Sequence, residues 1–357
     1  MCIQSNLENN LYVISNRNFS EDYLNYKSAS IDMIVSGKYL YKYPKFKLNY
    51  SMLGEYPLHK NNQNLIECIK MTYINHLKGK EILIGSGANG LIQNIVKVLF
   101  KNGGNLVTPY LTFDQVEFAV NSIGGYTKRV KMGENKEIST ENILNSIDEN
   151  TKMIYICNPN NPTGMLLDNK EIISMAKRIS NIYLVVDESA IEFSNKKDLI
   201  EEEYVENLII IKSFSKAYGI SNLRVGFMVC SNKFSKIYAE NTTVNEVSGI
   251  SCEYARKVIE SKYHKKNIEM IINEREKIIK AFQKFGFEFY PSSSNILFSK
   301  TYLEKDFVNK IIENRISLLW IKDDEEKLHF RIAIQDKKTN DAFIKKCSEI
   351  LKREVKS

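Results

Sequence analysis

From about residue 80 onward, short unbroken apolar runs alternate with longer stretches whose apolar positions recur every three or four residues. The runs cover residues 81–84, 105–107, 153–157, 183–186, 208–211 and 225–229. A strand covered on one face alternates apolar and polar residues, so an unbroken run predicts a strand covered on both. Amphipathic helical patterns lie between the runs, among them 91–100 and 170–180. Such alternation predicts an α/β layer on a mostly parallel sheet.

Near residue 245 the pattern changes. One long helical stretch, 251–285, has apolar residues at three- and four-residue spacing and no proline. Two strand candidates follow, 294–299 and 328–334, then a last helix from about residue 340. This predicts a second, smaller α+β unit, with the long helix linking the two. The first 50 residues are rich in Tyr and Lys and weakly patterned; they read as an arm plus one helix. The expected units are 1–50, packing on the small domain or a partner subunit, 51–245, the large domain, and 246–357, the small domain. A length of 357 residues accommodates that division.

Charge and cysteine usage narrow the class. The net charge is +7, but both signs are interspersed and no basic block carries interleaved aromatics, so no nucleic-acid partner is expected. Cys2, Cys68, Cys157, Cys230, Cys252 and Cys347 are scattered, and no His stands near them at metal-ligand spacing. Reduced cysteines in a cytoplasmic protein are the expectation. The N-terminal residues lack a signal-peptide pattern, and no apolar run reaches the roughly 18 residues of a membrane span.

Four clusters follow predicted strands. The first is Ser213-Phe214-Ser215-Lys216-Ala217-Tyr218-Gly219, with Arg224 shortly after. A lysine there is partly desolvated, which lowers its pKa and frees the amine to attack an aldehyde. The hydroxyls and the guanidinium suit a phosphate. The second is Asn158-Pro159-Asn160-Asn161-Pro162-Thr163-Gly164. It reads as a turn, but three Asn exceed what a turn requires, and one can donate to an anionic ring oxygen. The third, Asp187-Glu188, ends an apolar run; a carboxylate there is costly without a partner and suits a protonated pyridine nitrogen. The fourth, Gly85-Ser86-Gly87-Ala88-Asn89-Gly90, opens a helix and lets backbone N–H groups approach a phosphate, without dinucleotide or Walker spacing. Each has a plainer reading as a turn, a cap or a surface ion pair. Together, at the strand ends where an α/β sheet forms its crevice, they match one small molecule, pyridoxal 5′-phosphate (PLP).

In these motifs, and in their order, the chain resembles the fold type I PLP-dependent aminotransferases of class I and II. Within them it looks most like the group of histidinol-phosphate aminotransferase and threonine-phosphate decarboxylase. The resemblance runs from about Tyr56 to Arg331. It implies a large domain with a mostly parallel seven-stranded sheet sandwiched by helices, plus a smaller α+β domain. It also implies roles: Lys216 carries PLP as a Schiff base, Asp187 meets the pyridine nitrogen and Asn161 the ring oxygen. Ala88 and Asn89 (main chain), Ser213, Ser215 and Arg224 hold the phosphate. Tyr110 stacks on the ring, with Phe113 the alternative. Tyr56 reaches the neighbouring subunit's phosphate in a homodimer, and Arg331 grips the substrate carboxylate. The implied reaction moves an amino group between a small amino acid or amine, a phosphorylated one included, and a 2-oxo acid. Decarboxylation or amino-acid oxidation on the same cofactor is the alternative, with a non-enzymatic PLP-binding domain behind both.

Two departures stand out. The family's Asp-Glu-Ala-Tyr is here Asp187-Glu188-Ser189-Ala190, so a phenol near the ring oxygen is missing. The arginine that histidinol-phosphate enzymes use for the substrate phosphate falls in a segment that here holds Trp320 and Lys322. His59, His76, His264 and His329 form no cluster in the sequence and read as structural or surface residues.

Overall fold

The computed structural model describes residues 30–34, 46–57, 59–243, 246–300 and 305–352. Most of the arm expected over 1–50, its helix included, lies outside the described residues. The first described strand, β1 (Ile31–Asp32), belongs to the C-terminal part of the molecule and is taken up below.

The main sheet holds β2 (Lys80–Gly85), β3 (Asn105–Pro109), β4 (Tyr126–Val130), β5 (Thr151–Cys157), β6 (Tyr183–Asp187), β7 (Leu208–Ser213) and β8 (Gly226–Ser231). Their order is β2-β8-β7-β6-β5-β3-β4, and only β8 runs against the rest. The seven-stranded, mostly parallel sheet is as expected. Six of its strands match the apolar runs. The seventh, β4, is an edge strand of polar character in which only Val130 is buried, so no apolar run announced it.

Helices α1 (His59–Thr72), α2 (Gly87–Leu99), α3 (Gln115–Ser122), α4 (Thr140–Asn145), α5 (Asn169–Arg178), α6 (Asn232–Asn241) and α7 (Gly249–Ser261) cover the two faces. Alternate strand residues serve different cores. Ile154, Ile156, Leu184, Val186 and Ile210 pack with α1, α4, α5 and α7. Met153, Tyr155, Cys157, Val185, Ile209 and Ile211 pack with α2, α3 and α6. Burial on both sides is why these runs are unbroken.

A second core lies around the antiparallel sheet β11-β12-β9, formed by β9 (Ile296–Phe298), β11 (Leu319–Lys322) and β12 (Leu328–Ala333). Helices α8 (His264–Gln283), α9 (Lys305–Glu313) and α10 (Lys337–Lys352) pack there. The short strand β10 (Ile316–Ser317) pairs in parallel with β1.

The single helix expected over 251–285 is two. Lys262 adopts a left-handed φ of 54° and ends α7, and α8 begins at His264. The apolar spacing runs on through the break, but α7 buries its face in the large-sheet core and α8 in the second. A lysine with positive φ leaves no mark in the sequence. No described helix is long and apolar enough to cross a membrane, and the described cysteines are all free.

Candidate active site

The four clusters come together at the C-terminal ends of β5, β6 and β7 and the turn from β2 into α2. Asp187 closes β6 and is buried. Its Oδ1 accepts the Ser189 backbone N–H at 2.9 Å, and its Oδ2 accepts the Tyr155 hydroxyl at 2.9 Å. Burial raises its pKa above the ordinary carboxylate value, and the two donors act against that.

Lys216 lies three residues past β7 and is half-buried. Desolvation, and then the Arg331 guanidinium, bring its ammonium down to about 8, with Asp187 acting the other way. The loop that carries it is tied on both sides: Gly219 N–H donates to the Lys216 carbonyl, Ile220 N–H to that of Phe214, and Asn267 Nδ2 to that of Ala217. Burial at the strand end is the main cause of the lysine's lowered pKa.

The turn into α2 makes a cradle that admits no side chain. A Cβ on Gly87 would come within 2.7 Å of Arg224 Nη2. A Cβ on Gly226 would meet the Gly87 carbonyl carbon at 2.8 Å and Ala88 N at 2.9 Å. Arg224 adopts a left-handed φ of 52° and donates through Nη1 to the Ser221 carbonyl at 3.0 Å and to Ser215 Oγ at 3.4 Å. Ser213 Oγ accepts the Ser215 N–H at 3.1 Å. Buried Asn89 Oδ1 has no partner among the described residues, and the first turn of α2 has no acidic side chain. Main-chain donors, hydroxyls and a guanidinium around a helix start are what a phosphate needs.

Of the three Asn in the second cluster, two are structural. Asn158 is bonded in both directions to Leu167, through its side-chain amide. Asn160 Nδ2 donates to the Leu111 carbonyl and to Thr163 Oγ1. Asn161 alone turns to the site, where its Oδ1 accepts from Arg331 Nη1 at 3.1 Å. Arg331 Nη2 also donates to the Ile34 carbonyl. Tyr110 follows β3 and is half-buried, with the Arg129 guanidinium 5.6 Å from the ring centre. Tyr56 is 88% exposed and is not drawn into this arrangement within the chain.

Two contributors escaped the sequence reading. Tyr155 reads as part of an apolar run, although a buried phenol usually finds a partner, and that is the signal the sequence offers. Ile34 acts through its main chain, which no side-chain pattern announces. Among the described residues no cluster of His, Cys, Asp or Glu is arranged to hold a metal ion.

The family model for class I and II aminotransferases matches residues 50–346. The histidinol-phosphate aminotransferase of Caldanaerobacter subterraneus subsp. tengcongensis is 29% identical over 277 residues, spanning 76% of this chain and 78% of that one. Among solved structures, histidinol-phosphate aminotransferase from Sinorhizobium meliloti in complex with pyridoxal-5′-phosphate superposes with a TM-score of 0.79 at 20% identity, covering 95% of this chain and 96% of that one. L-threonine-O-3-phosphate decarboxylase from Porphyromonas gingivalis does so with a TM-score of 0.70 at 20% identity, over 90% and 99%. At that identity the structural likenesses speak to the fold. The family match covers most of the length, and the glycine cradle, the strand-end carboxylate and the desolvated lysine fit the cofactor such enzymes use; the chain belongs to the class I and II aminotransferase family, the PLP-dependent transaminases.

Proposed function

We propose that this site transfers an amino group between a small amino acid or amine and a 2-oxo acid, in a cytoplasmic homodimer. The observation that carries the site assignment is the convergence of Lys216, Asp187 and the Gly87–Arg224 cradle at adjoining strand ends. Bound there, PLP supplies an electron sink for the electrons released at the substrate carbon. The chain's own residues do the rest. Ala88 and Asn89 N–H, Ser213, Ser215 and Arg224 hold the phosphate. The Asp187 carboxylate meets the pyridine nitrogen. Asn161 gives its Oδ1 to Arg331, which leaves its Nδ2 to donate to the ring oxygen. Tyr110 covers the ring. Lys216 Nζ, lowered to about 8, takes a proton from the substrate Cα and returns it on the far side of the reaction.

Arg331 grips the substrate carboxylate. Its guanidinium is already oriented by Asn161 and the Ile34 carbonyl. Arg331→Lys keeps the charge but not the fork. Its expected effect is a KM for the 2-oxo acid about 10- to 100-fold higher, the loss of one charge-assisted hydrogen bond, with a smaller change in kcat. Steady-state kinetics at saturating donor measures both.

A phosphate on the donor finds no arginine on β11. Trp320 is buried against Phe330, and Lys322 pairs with Glu326 at 3.1 Å. The homodimer reading rests on exposed apolar side chains, Tyr50, Leu53, Tyr56, Met71 and Ile74, gathered at the start and end of the segment 50–74. Tyr56 would complete the partner's phosphate site.

The test of transamination is a single half-reaction. With an amino donor alone, the holoenzyme should release one equivalent of oxo acid per site and stop, with no CO2 evolved and no O2 consumed. Continuous turnover without an acceptor, with either gas changing, would assign decarboxylation or oxidation instead.

A further inference from the structure

Tyr155 is fully buried in the middle of the sheet, and the phenol is the one polar group its side chain brings there. β5 and β6 are parallel with Cys157 opposite Asp187. Tyr155 stands two residues before Cys157, so its side chain leaves the same face of the sheet as that of Asp187. From there the phenol donates to Asp187 Oδ2 at 2.9 Å. The other carboxylate oxygen takes the Ser189 N–H at 2.9 Å, so both oxygens are held and the plane of the carboxylate is set. Thr108 Oγ1 donates to the Tyr155 carbonyl at 3.0 Å and fixes the strand beneath.

We propose that Tyr155 is a positioning residue that orients the Asp187 carboxylate, in its charged form, toward the ring nitrogen of the cofactor. The inference rests on the reading that Asp187 meets that nitrogen. The titratable groups near this pair are Cys157, Lys216 and, on the side of Tyr155, Asp114. Burial, and then the Asp187 charge, hold the phenol well above its ordinary pKa, so it is a proton donor at every working pH. Burial works to neutralise Asp187, and the bonds from Ser189 and Tyr155 oppose it. Removing the phenol oxygen removes one of those bonds. The Asp187 pKa then rises, the carboxylate takes a proton more readily, and a neutral acid holds a pyridinium poorly. Loss of that pyridinium weakens the ring as an electron sink.

The test uses holoenzyme loaded with 15N-labelled PLP, with NMR of the ring nitrogen as the readout beside kinetics. Wild type, Tyr155→Phe and Asp187→Asn are compared. Phe keeps the ring packing, and a thermal melt within a few degrees of wild type certifies the fold. In Asp187→Asn the nitrogen should move to the unprotonated shift. In Tyr155→Phe it should move part of the way in that direction, with kcat lower by about tenfold, as the loss of one buried hydrogen bond implies, and KM within twofold. If Asp187→Asn moves the resonance and Tyr155→Phe leaves both resonance and kcat at wild-type values, the phenol is only a satisfied core group and the proposal is overturned. If neither variant moves the resonance, the assignment of Asp187 to the nitrogen fails, and the proposal fails with it.

Discussion

Lys216→Ala should leave a folded protein that no longer retains PLP covalently and turns over at least about 10³-fold more slowly. General acid–base catalysis by a positioned side chain contributes about 10²–10⁴-fold, and the covalent hold on the cofactor is lost as well. The fold should survive because Lys216 is half-buried and main-chain bonds and Asn267 hold its loop. Lys212, on the preceding strand, is no substitute. Its Nζ is locked at 2.5 Å from Asp198 Oδ1 and 3.0 Å from Glu192 Oε1. Borohydride reduction followed by peptide mapping should therefore place the cofactor on 216 in wild type and on no lysine in the variant. Label on 212, or wild-type turnover in the variant, would end the assignment. The pH dependence has a definite sign. The neutral amine is the reactive form, and the Lys216 ammonium titrates at about 8. Capture of PLP by the apoenzyme should accelerate as pH rises through 8 and level off above it, which stopped-flow absorbance follows directly.

The legible parts of the sequence share one property: their side chains are what the structure uses. Buried strands such as β5 and β7 appear as unbroken apolar runs because both faces are covered. Lys216, Asp187 and Arg224 are residue types whose side chains stand out at strand ends, and the structure brings them to adjoining ones. What escaped is carried by the main chain or by context. β4 is an edge strand whose exposed polar residues carry no run. The break at Lys262 is a single backbone angle. The Ile34 carbonyl that orients Arg331 belongs to a weakly patterned segment nearly 300 positions away. The asparagine cluster was legible as a group but not by member: Asn158 and Asn160 hold the turn through Leu167 and Leu111, and only contacts reveal that Asn161 is the one facing Arg331.

The largest expected loss of stability is at Lys212. It is 1% exposed, on β7, with Asp198, Glu192 and Glu188 around its ammonium at 2.5, 3.0 and 4.0 Å. One cation among three carboxylates cannot neutralise all of them. Burial pushes Glu188 up to about 8 and raises Glu192, with Lys212 opposing in both cases. For Asp198 the same burial is outweighed by the Lys212 charge, and the group is held below its ordinary value, with the Tyr73 hydroxyl donating to it at 2.5 Å. Asp198 and Lys212 thus form the charged pair, and burial drives both glutamates toward their neutral forms. Lys212→Met leaves the Asp198 charge buried without its cation, a change that costs about 3–5 kcal/mol, a large part of the roughly 5–15 kcal/mol that holds a typical protein folded. The loss should depend on pH. Glu188 binds its proton more tightly folded than unfolded, so its contribution is fully present below 4.5 and is lost as pH rises through about 8. Removing Lys212 raises Glu188 further, so wild type ionises it near pH 8 while the variant keeps its proton, and the variant's deficit should widen as pH rises through 8, which urea denaturation can measure. Adding Asp198→Asn to Lys212→Met removes the stranded charge and should recover most of the deficit. A single variant as stable as wild type at pH 8, or a double variant no better than the single, would mean that the cluster is not held by this ion pair. β7 leads straight from Lys212 into the Lys216 loop, so the same substitution should also loosen Lys216 before the whole protein unfolds, visible as faster cofactor loss at temperatures below the melt.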